Sequence, residues 1–345
     1  MKNGLKQTVR AIIFLAMALI LLWLSFRDIG FQDLWATLRR ADYLWLLPAA
    51  VMTLISFFIR AHRWNLLIEP LGRKGRLINV YHAVATGYLA NLIFPRLGEV
   101  TKCAALSERE KIPFDRLVGT MLVERTVDML TVVALLGLTL IAGSTTTGSF
   151  LSENVIAPFS AKLSSSAISA TMILLLLLAL LIMVAVLYFA LRKKLSDKPL
   201  FKKLYQFTDG IIDGLKSIAR LRRRWEFILY TVLLWVVYLL MTYFPLLCLD
   251  STAGLGLDGG LFILVIGSFG MAAPVQSGLG AFHWIVSRGL LVAYGIPLQE
   301  GLAFATLSHE SQLVLIALLG AISFFALFGT RRGKILPSAV IDKAS

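Results

Sequence analysis

The sequence predicts an all-helical integral membrane protein, and three observations lead to this prediction. Hydrophobic residues make up 58% of the 345-residue chain and charged residues only 16%, whereas soluble domains are about a quarter charged. The mean hydropathy is +0.79, and the apolar residues form long uninterrupted runs. Lys and Arg cluster between these runs, so the positive-inside rule explains the net charge of +14 without nucleic acid.

Six apolar runs reach roughly the 17 to 25 residues that a membrane-spanning helix needs. The first follows three basic residues and lacks a small-residue cleavage site, so we predict a retained signal anchor. We therefore expect six full transmembrane helices, at residues 11–26, 43–59, 117–141, 168–191, 227–249 and 302–329.

Two further apolar regions are interrupted near their middles, residues 77–106 around Pro95 and residues 259–294 around Pro274. Each could be a helix followed by a surface loop, or a re-entrant hairpin. The distribution of Lys and Arg favours re-entrant hairpins, because full crossings would place several basic residues outside. Non-helical backbone at membrane depth requires protein or a water-filled cavity beside it, so both breaks should face a cavity.

This order of elements predicts an inverted repeat within one membrane domain spanning residues 1–345. The first repeat covers residues 11–141 and the second, of opposite orientation, residues 168–329. Between them, residues 192–225 are predicted to contain an amphipathic helix on the cytoplasmic leaflet. Both termini should be cytoplasmic. Inverted repeats with paired broken helices indicate a transporter-like site near the bilayer midplane.

Ionisable residues inside apolar segments are the strongest functional signal, because each costs about 2.5 to 3.5 kcal/mol at a helix centre. Glu124 and Asp128 share one helix face, and Arg125 is spaced to reach Asp128. Arg96 and Glu99, at the first break, could meet the same group. The cluster is either a self-neutralising structural element or a substrate-binding site.

The two breaks contribute further candidates. Arg96 is a natural phosphate ligand beside freed backbone amides, since guanidinium groups form bidentate hydrogen bonds. Close packing through small residues explains the second break equally well. The candidate binding residues of the second half are Gln276, Ser277, His283, His309 and Glu310. The residues that interrupt the helices are Pro95, Gly98, Pro274, Gly278 and Gly280.

Arg60, Arg63 and Trp64 follow the second predicted helix, where interfacial lipid contact or substrate binding would explain them. No motif of a hydrolase, nucleotide-binding enzyme or metalloprotease is present. We therefore expect no enzymatic activity, no cofactor and no metal site. His309 and Glu310 leave proton coupling open.

Four motifs occur in an order that resembles one known family. They are Arg60-x-x-Arg63-Trp64, Asn91-x-x-x-Pro95-Arg96-x-Gly98-Glu99, Glu124-Arg125-x-x-Asp128 and Gly278-Leu-Gly280-Ala-Phe282. Together they are similar to the lysylphosphatidylglycerol synthase transmembrane family. The resemblance implies a flippase-like domain of the bacterial cytoplasmic membrane, without the soluble aminoacyltransferase domain of long members. Many members have Glu where this chain has His283.

The function predicted from these features is translocation of a membrane lipid with an aminoacylated or glycosylated headgroup. Two alternatives remain open at this point: a proton-coupled transporter of a small anionic solute, and a non-catalytic scaffold for a separate lipid-modifying enzyme.

Overall fold

The computed structural model describes residues 16–27, 29–72, 75–94, 97–142, 150, 221–273 and 275–329. Within these ranges the protein is helical and contains no β-strand. The described residues form ten helices of ten or more residues: α1 Ala16–Phe26, α2 Phe31–Arg40, α3 Leu46–Ile68, α4 Leu77–Ile93, α5 Gly98–Glu110, α6 Phe114–Ala142, α7 Arg224–Leu246, α8 Gly256–Ala272, α9 Ala281–Tyr294 and α10 Leu298–Phe328. A single turn, Asp250–Ala253, precedes α8.

Three segments of the described chain are long and apolar enough to cross a membrane: Tyr43–Leu71, Arg224–Leu246 and Leu298–Phe328. They correspond to the runs predicted at residues 43–59, 227–249 and 302–329. The run at residues 117–141 lies within α6, which is 29 residues long but carries Glu124, Arg125 and Asp128. The protein is thus an all-helical membrane protein, and the number of six full crossings stays a prediction.

Each predicted break separates two helices that fold back against one another. In the first pair, the side chain of Asn79 at the start of α4 donates to Glu110 at the end of α5. At the other end of this pair, Gly87 of α4 lies against Gly98 of α5. In the second pair, α8 and α9 approach antiparallel, with Gly270 against Phe282. We call these pairs the first hairpin, α4–α5, and the second hairpin, α8–α9.

The two hairpins meet where their helices are interrupted. The hydroxyl of Ser277, in the second break, donates to the carbonyl oxygen of Asn91, 3.4 Å away near the end of α4. α10 runs alongside this junction, and a Cβ added to its Gly320 would meet Leu89 of α4 at 2.6 Å. Close backbone approach of this kind is available only to small residues.

Two helices differ from the sequence-based prediction. α2, which joins the first two predicted membrane helices, was not predicted; its Leu34 is buried while Phe31 and Trp35 are exposed. α3 continues to Ile68 although the apolar run ends at residue 59. The predicted helix at 168–191 and nearly all of the predicted linker helix at 192–225 lie outside the described residues.

Candidate functional site

A buried ionic cluster is centred on Glu124, which lies about 15 Å along α6 from its first residue at 1.5 Å per residue. Only 1% of Glu124 is exposed. Its Oε1 lies 3.3 Å from Arg63 Nη2 and 3.5 Å from Arg60 Nη1, and its Oε2 lies 2.5 Å from Lys102 Nζ. One carboxylate thus joins cations from α3 and α5 to α6.

Asp128 extends the cluster by one helical turn, since residues four apart on a helix share a face. Arg63 Nη2 lies 2.6 Å from Asp128 Oδ1, and Arg60 Nη1 lies 3.9 Å from Asp128 Oδ2. Arg60 also donates through Nε to the hydroxyl of Tyr238 on α7. The cluster therefore connects side chains of four helices, α3, α5, α6 and α7. These contacts matter because a buried cation without a partner would be strongly unfavourable.

The prediction that Arg60, Arg63 and Trp64 contact lipid at the membrane interface is wrong, because all three are buried in protein. Trp64 is fully buried, and its Nε1 donates a hydrogen bond to the hydroxyl of Thr120. Lys102 Nζ lies over the Trp64 ring, 4.4 Å from the ring centroid, in a cation–π contact. α3 can continue through these residues because acidic groups of α6 neutralise the two arginines.

Glu99 and Arg125 form a second, more accessible part of the cluster. Arg125 Nη2 lies 3.6 Å from Glu99 Oε1, so this arginine pairs with Glu99 rather than with Asp128 as predicted. Glu99 Oε2 and Arg125 Nε are buried atoms without a hydrogen-bond partner. Such unsatisfied polar atoms in a native structure require an explanation, and a ligand is one.

These groups line a polar pocket of about 10 Å³, which is room for one water molecule. Its walls come from α3, both helices of the first hairpin and α6. The lining residues are Arg60, Val84, Gly87, Tyr88, Asn91, Gly98, Glu99, Lys102 and Arg125. Glu124 and Asp128 do not line the pocket, so they position the cations rather than face its interior.

The charges of the described cluster do not cancel. Four cationic side chains, on residues 60, 63, 102 and 125, face three carboxylates, on residues 99, 124 and 128. The difference is one positive charge in a largely buried site. Binding one anionic group there would neutralise it, and guanidinium and ammonium groups suit an oxyanion.

An apolar pocket of about 290 Å³ lies on the other side of the hairpin junction. Leu92 lines this pocket, whereas its neighbour Asn91 lines the polar one. On α10, the wall residue Val314 is 61% exposed. The lining residues are Leu92, Gln276, Ser277, Leu279, Leu313, Val314 and Ala317.

Three ionisable residues of the second half also come together. Glu310 Oε1 lies 3.2 Å from His309 Nδ1 and 3.4 Å from His283 Nε2. His309 Nε2 lies 2.9 Å from the backbone oxygen of Ser277. Both histidines are buried, whereas Glu310 remains 43% exposed. The predicted residues of the second break and of the last helix therefore form a second cluster beside the apolar pocket.

The remaining predicted residues divide into three groups. Gly278 and Gly280 have φ of 77° and 78°, and Ala18 and Leu22 of α1 lie against Gly280, so these glycines serve backbone geometry and packing. Gln276 Oε1 is buried without a hydrogen-bond partner. Pro95, Arg96 and Pro274 lie outside the described residues, and the role of Arg96 as a phosphate ligand stays a prediction.

Sequence reasoning missed Lys102 and Tyr238. Lys102 was not among the predicted site residues, but only 5% of it is exposed. A signal was available, because Glu99 and Lys102 are three residues apart in an otherwise apolar stretch. Tyr238 gave no signal, since its partner Arg60 is far away in the sequence.

Comparisons with known proteins show that this chain is similar to membrane proteins. The family described as lysylphosphatidylglycerol synthase TM region matches residues 10–320. A UPF0104 membrane protein of Pyrococcus horikoshii is 25% identical over 331 residues, which cover 92% of this chain and 96% of that protein. The glycosyltransferase AglD of Haloferax volcanii is 27% identical over 135 residues, covering 39% of this chain and only 21% of that protein. No solved structure matches the chain.

Proposed function

Because the chain belongs to the lysylphosphatidylglycerol synthase TM region family, we propose that it translocates a membrane lipid whose headgroup carries a phosphate. The headgroup class that fits is an aminoacylated or glycosylated one. The protein acts as a carrier and not as an enzyme in this proposal. The similarity to one part of a glycosyltransferase supports a lipid-related role.

The observation that favours this function is the adjacency of the polar and apolar pockets. Asn91 and Leu92 are consecutive residues, and each lines a different pocket. An amphiphile could place its headgroup on the charged side of the hairpin junction and part of an acyl chain on the other. The exposed Val314 at the apolar pocket supports a lateral opening to lipid, which an enclosed solute site would lack.

The polar pocket offers a headgroup two kinds of contact: positive charges and hydrogen-bond acceptors. Arg60, Lys102 and Arg125 offer positive charge to a phosphate, and Arg96 is expected to add another. Glu99 and Asn91 offer acceptor oxygens to an amine or to sugar hydroxyls. Since the pocket has room for only one water molecule, α5 must move away from α4 before a headgroup can enter. The proposed cycle exposes this site alternately to the two leaflets.

This cycle assumes the inverted repeat, with six crossings, two re-entrant hairpins and cytoplasmic termini in a bacterial inner membrane. Single cysteines test the orientation after the two natural, buried cysteines are replaced by alanine. We expect an impermeant thiol reagent added outside to label Ser149→Cys and not Ser196→Cys, because basic residues surround only the latter. Labelling of Ser196→Cys alone would contradict the proposed orientation.

Transport is tested with purified protein in liposomes that contain labelled aminoacyl or glycosyl phospholipids. We expect the protein to change the outer-leaflet accessibility of one such lipid. Arg125→Ala should slow this by about 10- to 100-fold, because a hydrogen bond to a charged group contributes about 1.5 to 3 kcal/mol. Arg125 is 40% exposed, so its removal should leave folding intact. Arg40→Ala, at an exposed position of α2, is the control.

Equal lipid movement in empty and protein-containing vesicles, across the whole panel of headgroups, would remove the proposed function. The scaffold for a separate lipid-modifying enzyme would then be favoured, and co-purification of that enzyme in stoichiometric amount would support it. Uptake of a soluble anion driven by a proton gradient would instead favour the solute transporter.

A further inference from the structure

We infer that His283, His309 and Glu310 form a binding site for a divalent transition-metal ion, with Zn²⁺ as the best-fitting class. The three side chains come from α9 and α10 and meet beside the break in the second hairpin. Their ligand atoms all lie within 4.8 Å of one another. Imidazole nitrogen and carboxylate oxygen are ordinary Zn²⁺ ligands. This inference does not depend on lipid transport.

The two distances from the carboxylate oxygen to the ring nitrogens fit tetrahedral coordination. With metal–ligand bonds of about 2.0 to 2.1 Å, neighbouring ligand atoms of a tetrahedron lie about 3.3 Å apart. Glu310 Oε1 lies 3.2 Å from His309 Nδ1 and 3.4 Å from His283 Nε2. Charge-assisted hydrogen bonds between nitrogen and a carboxylate are shorter, about 2.7 to 2.9 Å. A metal ion shared by the two ring nitrogens and this carboxylate oxygen would accommodate the two observed distances.

The surroundings of His309 favour the tautomer that a metal requires. Its Nε2 lies 2.9 Å from the Ser277 carbonyl oxygen, so Nε2 carries the proton and donates it. In the neutral imidazole the lone pair then resides on Nδ1, the nitrogen that faces Glu310. A histidine ligand almost always donates its other ring N–H to a carbonyl or carboxylate in this way. Phe282 also stacks on the His309 ring at 5.2 Å between centroids, which fixes its plane.

Ser277 has an unusual backbone conformation, in which its carbonyl oxygen faces Nε2 of His309. Its φ is 46°, in a left-handed region that non-glycine residues rarely occupy. Strained backbone of this kind costs on the order of 1 to 3 kcal/mol and is concentrated at functional sites. The strain therefore supports a role for the break beyond chain reversal.

The three side chains leave one coordination position of a tetrahedral metal ion for a fourth ligand. Two histidines and one glutamate supply three positions, and Zn²⁺ with three protein ligands normally takes water or a substrate atom as the fourth. The two histidines are buried, whereas Glu310 is 43% exposed, so access is from the Glu310 side. A bound ion would fix the second hairpin against α10 at the edge of the apolar pocket.

The experiment uses the full-length protein purified in detergent with a tag that contains no histidine, and stripped of metal with a chelator. Titration with Co²⁺ should produce the visible absorption of a tetrahedral site, and Zn²⁺ should abolish it at one ion per chain. We expect His283→Ala, His309→Ala and Glu310→Gln each to weaken binding by about tenfold or more, since loss of outer partners alone already costs 10- to 100-fold.

His62→Ala is the matched control, because His62 contacts a single carboxylate, Glu226, at 2.9 Å and belongs to no three-ligand group in the described chain. It should bind Co²⁺ like the unmodified protein. Gel filtration verifies that each variant is folded, and the partly exposed Glu310→Gln remains informative if a buried histidine variant aggregates. Absence of the tetrahedral spectrum from the unmodified protein, or unchanged binding in all three site variants, would overturn the inference.

Discussion

Glu124→Gln should destabilise the protein more than any other single change in the ionic cluster. The substitution preserves the shape of the side chain but leaves Arg60, Arg63 and Lys102 without the buried carboxylate that they share. Breaking a buried ion pair by removing one partner costs about 3 to 5 kcal/mol. We expect a large decrease in the thermal unfolding midpoint of the detergent-purified protein and much less folded protein in the membrane.

Two further variants test whether the lost charge is the cause of the destabilisation by Glu124→Gln. Adding Lys102→Met to Glu124→Gln should recover part of the lost stability, because neighbouring residues in one network are coupled. Asp115→Asn, at an exposed position in the first turn of α6, should change stability by about 1 kcal/mol at most. If Glu124→Gln unfolded at the same temperature as Asp115→Asn, the cluster would not stabilise the fold.

Hydropathy predicted the positions of the apolar helices correctly but not the ends that carry charged residues. α7 and α10 begin within a few residues of the predicted positions, since their composition alone makes lipid their solvent. α3 was predicted to end at residue 59, because Arg60 and Arg63 are expensive in a membrane unless neutralised. Their partner Glu124 lies 64 residues from Arg60 and 61 residues from Arg63 in the chain, so no local pattern reveals the compensation.

The same limit applies to the site. Helical spacing correctly indicated that Glu124 and Asp128 face the same direction, and in the structure they share Arg60 and Arg63. Helical spacing also suggested contact of Arg125 with Asp128, whereas tertiary packing brings Glu99 to Arg125. Interactions within one helix can be read from sequence, but the choice among several partners depends on which helices pack together. Which of these residues bind a substrate stays a prediction.

In the second hairpin, the chemical role inferred for His283 depends on the residues that surround it. His283 stands where the family resemblance implies Glu. In the structure His283 faces Glu310 and packs edge-on to His309. A histidine there, beside a second histidine and a carboxylate, suits a metal ion better than the lipid headgroup.

Gly98→Ala should separate the two helices of the first hairpin and abolish folding or transport. Gly98 begins α5 beside Gly87 of α4, and an added Cβ would collide with the Gly87 carbonyl oxygen and lie 2.6 Å from the Asn91 side chain. Backbone cannot yield as a flexible side chain can. Overpacking typically costs about 1 to 3 kcal/mol and occasionally more. The Asn91 side chain would also lose the hydrogen bond that it accepts from the Gly98 N–H at 2.7 Å.

Gly119→Ala is the matched control for this experiment, because the described structure places nothing within 4 Å of a Cβ at that position of α6. Alanine is also the better helix former by about 1 kcal/mol, so this variant should be unchanged or slightly more stable. Thermal unfolding of both variants, followed by the liposome assay, separates two roles of the close approach. Loss of transport by Gly98→Ala with an unaltered unfolding midpoint would indicate that the hairpin must close tightly during the transport cycle. Normal stability and normal transport together would contradict the packing of α4 against α5, since no arrangement with Gly98 against Gly87 can accept the added methyl group without moving the backbone.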